Sequence, residues 1–226
     1  VRDVIAANLL PDGALNLICG GAGDLLDQVR GEDVIAFTGS SETAARIRKH
    51  PNILAHGVLV NVEADSVNAA LLAPDAAPGQ PAFDAFIREV SREMTVKAGQ
   101  KCTAIRRVLA PARHADAVGE ALLARLRKTT LGDPRDEATR MGPVVTRAQQ
   151  AAAFDGIAKI ARDAQVLTGG AQAPKLDGID PDKSAFVAPT LMRVADANAD
   201  AVHDTEVDCQ DPQREQGFGS VFELLG

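Results

Sequence analysis

Near its centre the chain reads Gly99-Gln100-Lys101-Cys102-Thr103-Ala104, a glycine-led turn that carries one thiol. An amphipathic helix is predicted before this turn, because apolar side chains recur there at helical spacing: Phe83, Phe86, Ile87, Val90 and Met94. A buried strand is predicted directly after it, over Ile105 to Leu109. The sequence therefore places Cys102 on a loop that follows a helix and precedes a strand.

Helix and strand patterns alternate on both sides of this loop. Strands are predicted over Leu15–Cys19, Asp33–Phe37, Gly57–Val62 and Val67–Leu72. Short helices are predicted between the first of these strands, and later segments read as two helices and an extended stretch: Ala115–Lys128, Gln149–Arg162 and Phe186–Met192. Strands separated by short helices indicate the α/β class with a parallel sheet and right-handed crossovers.

Composition excludes several classes of function. The 226 residues carry a net charge of −7 and no basic stripe, so nucleic acid is not an expected partner. The longest apolar runs are far shorter than the roughly 18 residues of a membrane span, so we expect no membrane partner. Three cysteines, at positions 19, 102 and 209, make neither a metal-binding spacing nor a disulfide framework. We therefore expect a cytoplasmic protein without a metal site.

Cys102 is the candidate nucleophile. A thiolate is a strong nucleophile that cationic neighbours stabilise, and Lys101, Arg106 and Arg107 are close in sequence. A buried, inert cysteine is the alternative for any single cysteine. Gly99 favours the nucleophile, because it permits an unusual backbone turn before the thiol. A cysteine–histidine hydrolase stays open, although none of the four histidines is near Cys102 in sequence.

Glu63 is the candidate general base. It follows the apolar run Val58-Leu59-Val60 and lies near a predicted strand end, where catalytic groups of open sheets collect. A partly desolvated carboxylate there could accept a proton from water. Asp65 is a rival two residues further on, and a solvated or salt-bridged glutamate is the structural alternative.

The turn Phe37-Thr38-Gly39-Ser40 leads from a predicted strand into a predicted helix. Backbone N–H groups at such a helix start can hold a phosphate, although plain turns of this kind are more common. Gly20-Gly21-Ala22-Gly23 has the same context but does not fit the Gly-x-Gly-x-x-Gly pattern of dinucleotide-binding turns.

Taken together, these motifs resemble the aldehyde dehydrogenase superfamily from Val1 to about Val207. The matching segments, in chain order, are Pro11-Asp12-Gly13-Ala14-Leu15-Asn16, Phe37-Thr38-Gly39-Ser40-Ser41-Glu42, Gly99-Gln100-Lys101-Cys102, Gly132-Asp133-Pro134, Met141-Gly142-Pro143, Pro189-Thr190-Leu191 and His203-Asp204-Thr205-Glu206-Val207. Glu63 falls where that family has its general base.

The resemblance implies an aldehyde dehydrogenase-like fragment with three parts. Residues 1–62 would be the C-terminal part of a Rossmann domain that binds NAD or NADP, residues 63–207 part of an α/β catalytic domain, and residues 208–226 a divergent, disordered tail. It also implies site roles: Cys102 captures the aldehyde and becomes a thioester, and Glu63 activates the water that hydrolyses it. Contacts to the cofactor are implied for Phe37, Thr38, Gly39, Ser40 and Glu206.

The wording of two segments is similar to a narrower branch of the superfamily. Arg88 to Thr95 and Cys102 to Arg107 resemble the dehydrogenases of aerobic aromatic-CoA breakdown, in the phenylacetic acid or the benzoyl-CoA pathway. This branch implies a ring-opened, CoA-linked semialdehyde as substrate and a homo-oligomeric parent enzyme. A CoA-acylating aldehyde dehydrogenase is a near alternative.

The chain also departs from the family pattern. Asp208-Cys209-Gln210 stands where the family continues with Phe-Gly-Pro, and the family's upstream half has no counterpart here. The resemblance makes the parent protein an enzyme, but it leaves the activity of this chain alone open. An inactive, truncated remnant is therefore a second alternative.

Overall fold

The computed structural model describes residues 2–64, 68–194 and the backbone of 221–225. The helices are α1 (Arg2–Ala6), α2 (Leu25–Gln28), α3 (Ser41–Arg48), α4 (Pro51–His56), α5 (Pro81–Thr95), α6 (Ala112–Leu126) and α7 (Arg147–Ile160). The strands are β1 (Val34–Gly39), β2 (Leu59–Ala64), β3 (Asn68–Leu71), β4 (Ile105–Leu109), β5 (Ala164–Thr168), β6 (Thr190–Val194) and β7 (Val221–Leu225). Short 3₁₀ helices lie at Val96–Gly99 and Pro181–Lys183. No helix in the described ranges is long and apolar enough to cross a membrane.

The first compact unit comprises residues 1–37 and 44–62. Its α4 begins at Pro51, which suits a first helical position, and ends at Gly57, whose φ of 62° permits the left-handed cap. The Asn52 side-chain amide donates to the carbonyls of Leu26 at 2.8 Å and Val29 at 2.9 Å, and so ties α4 to the end of α2. Strands β1 and β2 form a two-stranded sheet.

The second compact unit comprises residues 38–43 and 63–226 and contains a five-stranded sheet of order β3-β4-β7-β6-β5. Neighbouring strands from β3 to β6 are parallel, and β5 runs antiparallel to β6 at the edge. The parallel pairing of β3 with β4 sets Asn68 opposite Ile105. This register brings the start of β3 beside the loop that carries Cys102.

Two apolar cores lie on opposite faces of this sheet. Leu191 and Met192 are consecutive residues of β6, and both are fully buried because each faces one core. The first core packs α5 and α6 against the sheet, through Phe83, Ile87, Val90, Met94, Val118, Leu122 and Leu126. The second core packs α7 against the other face, through Ala153, Ile157 and Ile160, and it includes Ala98 from the turn before Cys102.

Most predicted elements are present within two or three residues of their predicted bounds, and the α/β class is confirmed. The predicted strand Leu15–Cys19 is wrong: this segment has no strand, and the side chains of Leu17 and Ile18 are 59 % and 61 % exposed. A strand requires a neighbour for its backbone groups, and none of the described strands pairs with this segment.

Strand β7 differs from the expectation of a disordered tail over 208–226. Val221–Leu225 pairs with both β4 and β6, and its sequence Val-Phe-Glu-Leu-Leu is the nearly continuous apolar run that an interior parallel strand requires. Residues 208–220 lie outside the described residues. The domain boundary predicted between 62 and 63 stays a prediction, although the compact units also divide there.

Gly169, directly after β5, is a position where only glycine fits. Its φ is +78°, and an added Cβ would lie 2.6 Å from both the Pro189 carbonyl oxygen and the Thr190 Cα. We expect Gly169→Ala to lower the free energy of unfolding by about 2–4 kcal/mol, the sum of backbone strain and a steric clash. Urea unfolding measures this change.

Gly178→Ala is the matched control, because Gly178 has a similar φ of +73° and open space around its Cβ position. It should lose only the strain contribution, about 1 kcal/mol. Equal losses in the two variants would contradict the steric account of Gly169.

Candidate active site

The turn before Cys102 has an unusual backbone. After α5 the chain enters the 3₁₀ turn Val96–Gly99, in which Lys97 and Ala98 both have φ of 53° and Gly99 has φ of 71°. A left-handed conformation costs a residue with a Cβ about 1–2 kcal/mol, so Lys97 and Ala98 must be held by their surroundings. Gly99 takes the third position without that cost, as its place in the motif predicts.

Contacts on both sides hold this turn in place. The Ala98 side chain is 1 % exposed and lies in the second core. The Arg106 guanidinium, on β4, donates from Nη1 to the Gly99 carbonyl at 3.0 Å. The side-chain amide of Gln100 donates from Nε2 to Oε1 of Gln149 at 3.3 Å, and Gln149 lies in the first turn of α7. Core packing and polar bonds therefore fix the backbone immediately before the thiol.

Cys102 itself is exposed, as is Thr103, whereas Ala104 is 1 % exposed and anchors the end of the loop. The exposed thiol is accessible to a small molecule, which the alternative of a buried, inert cysteine does not allow. Cys19 is also exposed, so exposure alone does not distinguish these two thiols.

Asn68, the first residue of β3, binds the Cys102 loop, and this role was not predicted from the sequence. Its Nδ2 donates to the Cys102 carbonyl at 2.8 Å and to the Ala104 carbonyl at 3.2 Å. A signal was present, because both β3 and β4 were predicted, and parallel neighbours begin at the same edge of a sheet. The first polar residue of β3 should then lie beside the residues that precede β4.

Lys101 precedes Cys102 in sequence, but its ammonium group forms an ion pair with Glu93. Its Nζ lies 2.6 Å from Oε2 of Glu93 on α5, and the two side chains are only 22 % and 19 % exposed. The Lys101 charge is thus offset by a carboxylate. The pair instead ties the residue before Cys102 to α5, which is a positional role.

Glu63 lies on β2 and is exposed, on the same face as Leu59 and Asn61. The structure therefore does not give it the partial desolvation expected of a base near a strand end. Its rival Asp65 lies outside the described residues. Glu63 precedes Asn68 by five residues, so their Cα atoms are at most about 18 Å apart.

The segment Phe37 to Ser40 forms the end of β1 and the start of α3, as predicted. The Ser40 side chain is buried and its hydroxyl accepts from the Thr43 backbone N–H at 3.1 Å, which caps the first turn of α3. Thr38 is exposed, and Gly39 is buried. Glu206, the remaining predicted cofactor contact, lies outside the described residues.

A cleft of about 480 Å³ lies beside the start of α7. Thr146 and Gln149 form a reciprocal capping box there. Asp133 and Arg135 line the same cleft, and hydrogen bonds from the Arg135 side chain and then its backbone N–H lower the pKa of Asp133 to about 2. This carboxylate stays ionised until the pH falls to about 2.

No group of three potential metal ligands occurs among the residues that the structure describes.

The Lys101–Glu93 pair generates a stability prediction. In Glu93→Gln the Lys101 ammonium, mostly buried, loses its countercharge, and we expect the free energy of unfolding to fall by about 1–3 kcal/mol. Glu89→Gln is the matched control on the same helix, because Glu89 pairs with Arg92 at 3.4 Å with both side chains more than half exposed.

The control should change the free energy of unfolding by less than about 0.5 kcal/mol. Urea unfolding monitored by circular dichroism compares the two variants. Equal effects would show that the mostly buried pair contributes no more to the free energy of unfolding than the exposed pair.

Comparisons with known proteins agree with this arrangement. The chain is 52 % identical over 210 residues to 3,4-dehydroadipyl-CoA semialdehyde dehydrogenase of Aromatoleum evansii. The alignment covers 92 % of this chain and 40 % of that protein. It is 30 % identical to betaine aldehyde dehydrogenase of Brucella anthropi, over 96 % of this chain and 41 % of that protein. The chain therefore spans about two fifths of the length of these relatives.

The fold is also similar to that of a solved aldehyde dehydrogenase. The crystal structure of betaine aldehyde dehydrogenase from Staphylococcus aureus in complex with NAD⁺ superimposes with a TM-score of 0.76, at 24 % identity, and the match covers 99 % of this chain and 41 % of that one. At this identity the match establishes the fold. The family model described as Aldehyde dehydrogenase family matches residues 2–207, and the chain belongs to that family.

Proposed function

We propose that Cys102 and Glu63 are the nucleophile and general base of an NAD(P)-dependent oxidation of a CoA-linked semialdehyde to its carboxylic acid. The observation that carries this proposal is the Cys102 loop, an exposed thiol on a backbone that cores and polar contacts hold in a strained turn. Such strain is characteristic of functional sites. The name of the relative that is 52 % identical supports the CoA-linked substrate.

The chemistry at Cys102 has a defined balance of bonds and protons. The thiolate sulfur attacks the aldehyde carbon, and the carbonyl oxygen takes a proton to give a thiohemiacetal. The Cys102 backbone N–H would stabilise the developing oxyanion. When bound, the nicotinamide would supply the acceptor for the hydride that leaves the thiohemiacetal carbon; the hydroxyl proton would pass to solvent, and a thioester to Cys102 is the oxidised product. Water then releases the carboxylic acid and restores the thiol.

The residues present fit a dinucleotide at one place. The strand–turn–helix from β1 through Gly39 and Ser40 to α3 has the form in which backbone N–H groups at a helix start meet a phosphate. The Ser40 cap fixes that start, which supports Phe37, Thr38, Gly39 and Ser40 as the cofactor contacts. Glu206 is proposed as a further contact on the resemblance alone.

Glu63 is proposed to take the proton from the water that hydrolyses the thioester. Since the carboxylate is exposed in this structure, a bound substrate would have to supply the desolvation that a base requires. A CoA-acylating reaction, in which CoA displaces the thioester, needs no such base. We also propose a cytoplasmic location and a homo-oligomeric assembly, from the cysteine usage and the family resemblance.

The reactivity of Cys102 tests its assignment. Because Cys19 and Cys102 are both exposed, accessibility alone predicts equal alkylation. A catalytic thiolate predicts that limiting iodoacetamide labels Cys102 at least about tenfold faster than Cys19 in the folded chain. Peptide mapping by mass spectrometry measures the ratio. Equal labelling, or a preference for Cys19, would exclude Cys102 as the nucleophile.

The base role of Glu63 is tested in a catalytically active protein that contains this chain. Glu63→Gln should keep a burst of NADH or NADPH at 340 nm and lose about 10²–10⁴ in the steady rate, because deacylation loses its general base. Asp65→Asn is the matched control and should keep both phases. An unchanged steady rate in Glu63→Gln would move the role elsewhere, and acyl-CoA formed on addition of CoA would identify the acylating reaction.

A further inference from the structure

We infer that Asn68 is a positioning residue for Cys102: its side-chain amide holds the carbonyls on either side of Thr103 turned toward β3. The inference rests on the proposed role of Cys102 as a nucleophile. Asn68 Nδ2 carries two hydrogens, and its two acceptors are the Cys102 carbonyl at 2.8 Å and the Ala104 carbonyl at 3.2 Å. One side chain therefore fixes the direction of two backbone dipoles at the thiol.

The place of Asn68 in the sheet explains why a side chain does this. The ladder between β3 and β4 is irregular directly after Asn68, where the register shifts. The Cys102 and Ala104 carbonyls precede β4, so they lie before the regular part of the ladder. The side-chain amide of Asn68 continues the hydrogen bonding between β3 and β4 beyond the start of β4, to the loop that carries Cys102.

The consequence for the thiol is electrostatic. A carbonyl oxygen is the negative end of the peptide dipole, and a thiolate is disfavoured when such an oxygen faces it. Asn68 holds two of these oxygens toward β3. Because C=O and N–H point in opposite directions across a trans peptide, the Thr103 N–H is directed away from Asn68. The clamp thus fixes the directions of two carbonyl dipoles and one N–H in the backbone around the thiol.

Asn68 also connects the two proposed catalytic segments. Five residues separate it from Glu63, and its side chain bonds the backbone of Cys102 directly. Further described contacts to the loop come from α5, β4 and α7, through Glu93, Arg106 and Gln149. Of these four residues, Asn68 is nearest in sequence to Glu63.

The test compares Asn68→Ala with Asn52→Ala in the full 226-residue chain. Asn52 makes the same kind of paired bond, to the carbonyls of Leu26 and Val29, and so controls for the loss of two hydrogen bonds. We expect Asn68→Ala to lower the Cys102 to Cys19 alkylation ratio about fivefold or more, as the loss of one to two net hydrogen bonds implies. Asn52→Ala should leave the ratio unchanged.

A second variant supplies a pH readout that a merely structural role would not give. In Asn68→Asp the ionised carboxylate cannot donate and faces two carbonyl oxygens, whereas the protonated acid donates one hydrogen bond. The two facing carbonyl oxygens raise the pKa of the introduced carboxyl above that of a free aspartate. The alkylation ratio of this variant should therefore be low at pH 8 and rise toward the wild-type ratio as the pH falls to 5. Each measurement is compared with the wild-type ratio at the same pH, because the two thiols need not respond equally to pH.

The outcomes separate this inference from the proposed function. If wild-type protein shows no preference for Cys102, the nucleophile assignment fails and the inference with it. If wild-type protein prefers Cys102 and Asn68→Ala keeps that preference, the positioning role is wrong and the nucleophile stands. Should Asn68→Ala not fold by circular dichroism, Asn68→Ser keeps one donor and should give an intermediate ratio; an unchanged ratio would overturn the role equally.

Discussion

The burial of Ala98 in the second core is the constraint from which the geometry around Cys102 follows. A small side chain is fixed among the residues of α7 and β6 while its backbone adopts a left-handed conformation. The preceding helix α5 is fixed in the opposite core. Only Val96 and Lys97 lie between the end of α5 and Ala98, so the chain must cross from one face of the sheet to the other within a few residues. The left-handed conformations of Lys97 and Ala98 occur in this short crossing.

This arrangement explains why the polar contacts of the loop are so varied. Four residues from four different elements bond the loop between Gly99 and Ala104, and no two of them bond the same loop residue: Glu93, Asn68, Arg106 and Gln149. A strained backbone persists only where its surroundings determine it from several directions. The packing of helices on both faces of the sheet provides those directions, so the fold and the candidate site are aspects of one structure.

The sequence predicted what depends on local pattern and missed what depends on neighbours. Ile105–Leu109 is a strand with the predicted bounds, because a short segment with apolar residues at both ends follows directly after a turn. Leu15–Cys19 has a similar local pattern but no strand beside it, and pattern alone cannot report a missing partner. Asn68 and Glu93 are polar residues whose roles arise only when β3 and α5 meet the Cys102 loop.

Strand β7 has a consequence for the order of folding. It lies between β4 and β6, yet it follows β4 by roughly a hundred residues along the chain. During synthesis from the N-terminus, β4 and β6 would both exist before the strand that separates them, each with an unpaired edge. Such edges can pair wrongly with each other or with another chain. The sheet is therefore completed late, by a long-range contact that slows folding.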